Sequence, residues 1–184
     1  MTTVNGLPAH VLLVHAIVVL LPLAALLLVL SALWPAARGK LAGPNAILSV
    51  LVVILVPITT DAGEWLERRI ASSPAVRTHT ELGDTALYVA IPVAVLALLV
   101  WWRRRESLRS QAADTGSTGS VAVATRRRTF LAPASTAVTV VLSILSIAAA
   151  GAAFYDIYRI GDSGAQASWQ GQFSSAPAPR GPSR

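Results

Sequence analysis

The sequence predicts an all-α, polytopic integral membrane protein: four transmembrane helices in a bundle, with a short interfacial helix between spans two and three. Three observations carry this prediction. Hydrophobic residues make up 54% of the 184 residues and charged ones 13%, with a mean hydropathy of +0.60, far more apolar than a soluble domain. The apolar residues collect in runs long enough to cross a ~30 Å hydrocarbon core, instead of recurring at the period of a soluble core. Most arginines stand at the ends of those runs, where topology signals belong. That placement removes nucleic acid as the meaning of the net charge of +6. The absence of Cys excludes a disulfide framework, a zinc–thiolate site and an iron–sulfur cluster.

Residues 1–9 form a short N-terminal segment before the first span, expected over 10–34 and interrupted only by Pro22 and Ser31. A cleaved signal peptide is not expected, because Arg38 and Lys40 follow the apolar run and no basic residue precedes it. Span two is expected over 44–60, with Pro44 in its first turn, where the missing N–H costs nothing. Residues 61–84 form a polar loop whose first part, about Asp61 to Ala71, reads as a helix lying in the interface with Trp65 and Leu66 facing down. In that helix Glu64 and Arg68 stand at i, i+4 and form a surface ion pair. Thr78 or Thr80 caps span three, over 85–102, which ends on the interfacial pair Trp101 and Trp102. A basic linker over 103–131 carries a Gly/Ser/Thr-rich centre expected to be disordered. Span four covers 132–158 and ends among Phe154, Tyr155 and Tyr158; its Ser143, Ser146, Ala150 and Gly151 are spaced for close helix contact. Residues 159–184 form a tail whose Pro-rich end is expected to lack structure.

Loops after spans one and three share a side and hold Arg38, Lys40, Arg103, Arg104, Arg105, Arg109, Arg126, Arg127 and Arg128. The other side holds Arg68, Arg69, Arg77, Arg159, Arg180 and Arg184, partly balanced by acids. The positive-inside rule then places both termini and the 61–84 loop outside the cell membrane.

With that topology the remaining ionisable groups gather at one face. His10 and His15 stand at the outer end of span one, Asp61 and Glu64 after span two, His79 and Asp84 before span three, and Asp156 and Asp162 at the end of span four. Ionisable groups at the bilayer boundary are candidates for function. Pro22, Pro57 and Pro92 interrupt three spans at similar depth, and kinks there would splay the outer halves into a shallow pocket. His10 and His15 are about 140° apart around a helix, so they cannot chelate one metal together. Each is expected to pair across helices instead, with His79, Asp61, Glu64 or Asp162. The plain alternative is that they only satisfy neighbouring polar groups. His79 has the fewest structural excuses.

The stretches NGLPAHVLLVHAIVVLLPLAALLLVL, PITTDAGEWLE, HTELGD and IGDSGAQASW resemble a family of four-helix bacterial membrane proteins, domain of unknown function family 2231, frequent in actinobacteria. The resemblance covers roughly residues 5 to 170 and implies the four-span architecture without implying an activity. Members often carry Pro after the first histidine, where this chain has Val11, and some carry His where it has Asp162.

Two function classes follow. One is an accessory, scaffold or sensor subunit, favoured by the lack of a nucleophile–base pattern, and associated with the lipid bilayer as a homo-oligomer or within a larger envelope complex. The other is a redox or metal-handling protein. There His10 or His15 and His79 ligate haem b or a divalent metal, with Asp61, Glu64, Asp84 and Asp162 as further metal ligands.

Overall fold

A computed structural model of the chain describes residues 3–115 and 135–171. The expected linker residues from 116 to 131 and the tail beyond 171 lie outside the described residues.

The N-terminal segment is a β-hairpin, which the hydropathy pattern did not announce. Strands β1 (Thr3–Val4) and β2 (Leu7–Pro8) pair antiparallel, with Thr3 opposite Pro8. Asn5 and Gly6 make the turn, both with positive φ (49° and 80°), as a two-residue hairpin turn requires. The hairpin feeds directly into α1 (Ala9–Leu33) and places His10 in its first turn.

Helix α1 ends at Leu33 because Pro35 forces Trp34 into an extended conformation. The same proline then opens α2 (Pro35–Glu67) at a position that needs no N–H. Arg38 turns back across this one-residue joint, donating from Nε to the Ser31 carbonyl (2.8 Å) and from Nη2 to the Ala32 carbonyl (2.6 Å). Those are terminal carbonyls of α1 that the helix leaves unpaired. Helix α2 thus starts nine residues before the expected span and passes through both Pro44 and Pro57.

The expected interfacial helix at 61–71 is not a separate element. Residues 61–67 continue α2, and the short helix is α3 (Pro74–Gly83) instead. Ser73 caps it, its Oγ accepting from the Val76 amide (3.2 Å), and Pro74 follows in the first turn. Thr80 lies inside this helix rather than capping span three, its hydroxyl donating to the Arg77 carbonyl.

Helix α4 (Ala86–Thr115) runs past the expected end at residue 102 through the arginines, and α5 (Thr136–Trp169) runs past 158. Among the described residues four helical stretches are long and apolar enough to cross a membrane: α1, α2, the α3–α4 run to Ala112, and α5. At 1.5 Å per residue α2 and α5 are each about 50 Å long, so both exceed a ~30 Å hydrocarbon core.

The long helices pack around one shared apolar core: α1 contacts α2, α4 and α5, and α4 contacts α2 and α5. Alanines such as Ala24, Ala25, Ala90, Ala97, Ala150 and Ala153 make up about half of the buried apolar residues, beside Leu21, Leu28, Val52 and Val93. Other large ones such as Val19, Leu26, Ile47, Ile54, Ile144 and Ile147 point away. A soluble protein reverses that distribution. Burying alanine and exposing isoleucine is favourable where the surroundings are as apolar as the core and close backbone packing holds helices together.

The core also encloses polar atoms. Ser31 Oγ, Asn45 Oδ1, Ser49 Oγ and Ser146 Oγ are buried with no hydrogen-bond partner among the described residues. Ser146 is 0% exposed, so its hydroxyl bears an uncompensated desolvation cost. Ser146→Ala is therefore expected to leave stability unchanged or raise it by up to about 1 kcal/mol, read as the midpoint of unfolding in detergent.

Candidate functional site

At the end of the molecule that begins with the hairpin, four helices converge on the rings of His10 and His79. The two imidazoles approach with centroids 6.3 Å apart and planes inclined at 74°. His10 comes from the first turn of α1, and His79 from α3, one helical turn after the buried anchor Val76.

Each ring is tied to a neighbouring helix through Nδ1. His10 Nδ1 lies 3.0 Å from the Thr59 carbonyl oxygen of α2. A carbonyl only accepts, so Nδ1 carries the hydrogen and, in a neutral ring, Nε2 holds the lone pair. His79 Nδ1 lies 3.1 Å from Ser163 Oγ of α5. The single Ser163 hydroxyl hydrogen is given to the Ile160 carbonyl (2.9 Å), which leaves Ser163 Oγ as the acceptor and assigns the hydrogen to His79 Nδ1. Both histidines are thereby held in the same tautomer, with Nε2 available as a donor atom. A ring nitrogen fixed by a second hydrogen bond while the other stays open is the usual condition of a ligating histidine.

Two glycines make room for the rings. A Cβ at Gly63 of α2 would lie 3.0 Å from both Cε1 and Nδ1 of His10. A Cβ at Gly164 of α5 would lie 3.0 Å from Cε1 and 3.3 Å from Nδ1 of His79. Each histidine thus has an oxygen anchor and a glycine close by on one partner helix: Thr59 with Gly63, and Ser163 with Gly164.

Both rings line a cavity of about 40 Å³, enough for two or three water-sized particles. Its walls are apolar apart from the histidines, Thr59 and Thr60: Val14, Ile17, Val56, Ala86, Ile157 and Ile160 supply most of the surface. Pro57 lies between the wall residues Val56 and Thr59, and α2 remains helical through it.

A second polar contact closes the same end. The Thr85 hydroxyl, at the α3–α4 joint, shares its hydrogen between the Leu82 carbonyl (2.6 Å) and Asp156 Oδ1 of α5 (2.7 Å). Asp156 is only 7% exposed, and its Oδ2 has no partner among the described residues. Asp156 and Ser163 stand seven residues apart, on one face of α5, so that face pins both α3 and the start of α4.

The expected cluster of three histidines and several acids contracts to this pair. His15 is exposed, its Nδ1 against the carbonyl of Val11 one turn back in α1, as the 140° offset from His10 demands. Asp61, Glu64, Asp84 and Asp162 are all exposed, and none lines the cavity. Glu64 forms the predicted surface pair with Arg68 at 3.5 Å, an exposed contact of little energetic weight. Asp162 accepts from Gln166 Nε2 at 2.9 Å. Among the described residues no three His, Cys, Asp or Glu side chains gather to hold a metal ion.

Sequence reasoning missed Thr59, Gly63, Ser163 and Gly164. Their signal was present as a small residue one turn after a hydroxyl residue in TTDAG and as the adjacent SG of GDSGA, without anything to connect them to a histidine.

No protein-family model, curated protein or solved structure matches the chain.

Proposed function

We propose that this chain is an accessory or sensor subunit of the cell membrane, whose outward end carries a paired-imidazole site for a cation. The observation that carries the reading is the pair itself: His10 and His79, from different helices, at 6.3 Å, each oriented through Nδ1 and each cradled by a glycine. The four long helices act as a bundle embedded in lipid, consistent with the exposed isoleucines and buried alanines. Short α3 lies at the interface, and the positive-inside rule sets the orientation, with Arg38, Lys40 and Arg103–Arg105 at the cytoplasmic end. Membership of domain of unknown function family 2231, and assembly as a homo-oligomer or within an envelope complex, belong to the same proposal.

Haem binding is the second reading, favoured by the presence of two imidazoles on separate helices. The cavity of about 40 Å³ that they line is small against the several hundred Å³ of ordinary ligand pockets, so haem stands behind a small ion.

A ligand that binds only the folded state raises its stability, by about 2.7 kcal/mol at a hundredfold excess over Kd. Thermal unfolding of the detergent-purified chain against protons, Cu(I), Zn(II), Co(II) and haem therefore tests the reading. A shift with at least one of them, lost in His79→Ala and kept in His15→Ala, is expected. Insensitivity of the wild type to all five would sink it.

A further inference from the structure

We propose that the His10–His79 pair takes one monovalent d10 metal ion, copper(I) in a cell, in two-coordinate geometry. The inference rests on the paired-imidazole reading above and names its ligand.

Donor count comes first. Two imidazoles face the cavity, and among the described residues no third His, Cys, Asp or Glu joins them. Zinc sites use three or four protein ligands, and calcium and magnesium need six or more oxygens. Two nitrogen donors satisfy an ion that is content with linear coordination, and imidazole is an accepted copper ligand.

Charge points the same way. Apart from Thr59 and Thr60 the remaining walls are apolar, and no carboxylate lines the cavity. Desolvation cost grows with the square of the charge, so a monocation faces about a quarter of the cost of a dication in the same low-dielectric site.

Separation agrees as well. Two metal–nitrogen bonds of about 2 Å plus the half-width of each ring give roughly 6 Å between centroids when the rings oppose each other across an ion, and roughly 5 Å at a tetrahedral angle. The observed centroid separation of 6.3 Å equals the spacing that the opposed arrangement requires once each Nε2 is turned to the ion. Such an arrangement leaves the ring planes free to rotate about the common axis, so the 74° inclination is compatible with it. With Nδ1 engaged on both sides, Nε2 is the donor each ring has to offer.

The test is anaerobic titration of the full chain in detergent with Cu(I) held by a chromophoric competing chelator, followed by X-ray absorption on the loaded protein. Expected are one equivalent of Cu(I) per chain and two nitrogen neighbours at about 2 Å. A fall in affinity of at least about 100-fold is expected in His10→Ala and His79→Ala, with His15→Ala unchanged. Where an alanine variant does not fold, His79→Gln keeps the volume without the imidazole and should show the same loss. Preference for Zn(II) or Co(II) over Cu(I), or a coordination number of three or four, overturns the copper assignment and leaves the paired-imidazole site standing. Wild-type protein that binds no metal and whose unfolding responds to neither protons nor haem overturns both.

Discussion

Gly164→Ala should weaken ion binding at the histidine pair by about 10- to 100-fold while leaving the protein as stable as before, or slightly more so. The new Cβ would stand 3.0 Å from His79 Cε1 and 3.3 Å from Nδ1, tight enough that a neighbour must give by a few tenths of an ångström. The ring, not the α5 backbone, gives way, because it is the end of a rotatable side chain. As it shifts, the Nδ1–Ser163 Oγ hydrogen bond lengthens and the direction of Nε2 is set less firmly. The helix meanwhile exchanges Gly for Ala, a gain of up to about 1 kcal/mol in helix propensity. Binding and stability therefore move in opposite directions, which a merely structural glycine would not produce. Gly63→Ala should act likewise on His10. Gly151→Ala, where an added Cβ meets nothing within 4 Å, serves as the control with unchanged affinity. Affinity measured beside the unfolding midpoint for all three variants decides the matter, and wild-type affinity in Gly164→Ala would refute the role given to the cradle.

Arg103→Ala should destabilise the protein by about 1.5–3 kcal/mol, the cost of losing hydrogen bonds to a buried charged group. Arg103 is only 5% exposed at the end of the molecule away from the histidines. Its Nη2 donates to the Ser135 carbonyl (3.2 Å) and to Thr139 Oγ1 (2.7 Å), joining α4 to the first turn of α5. By position in the sequence Arg103 is one of three consecutive topology arginines. The other two are placed differently: Arg105 stacks over Trp101 at 4.6 Å, and Arg104 is half-buried. Lysine separates the two roles. Arg103→Lys keeps the charge that topology needs but lacks the planar fork, so it should recover less than half of the lost stability. Full recovery by lysine would mean that charge alone matters there. The readout is the unfolding midpoint in a denaturing detergent, with inserted topology checked separately.

Much of the architecture was legible because hydropathy and helix length are local properties. Runs of Leu, Val, Ile and Ala around residues 10–34, 44–60, 85–102 and 132–158 mark where apolar helices must lie, whatever they pack against. Helix ends were less legible. Residues 35–43 and 103–115 look like polar linkers by composition, yet Pro35 starts a helix and α4 continues through its arginines. The short helix was misplaced for a related reason: Trp65 and the charge pairs of 61–71 suggested an amphipathic segment, whereas Ser73 and Pro74 supplied the start signal. Asn5-Gly6 was a readable hairpin signal, and the strands of two residues on either side were too short to show a period.

By itself the sequence determined an apolar, multi-pass helical chain and the positions along each helix that carry ionisable groups. It also determined that His10 and His15 point in different directions, since 3.6 residues per turn leaves no other choice. Only the tertiary structure decided which histidine meets His79, because helix rotation, offset and neighbour depend on contacts among residues far apart in the chain. His10 reaches Thr59 across 49 positions, and His79 reaches Ser163 across 84. No periodicity records such pairs: they arise where small residues let α1, α2, α3 and α5 approach closely enough for side chains to touch.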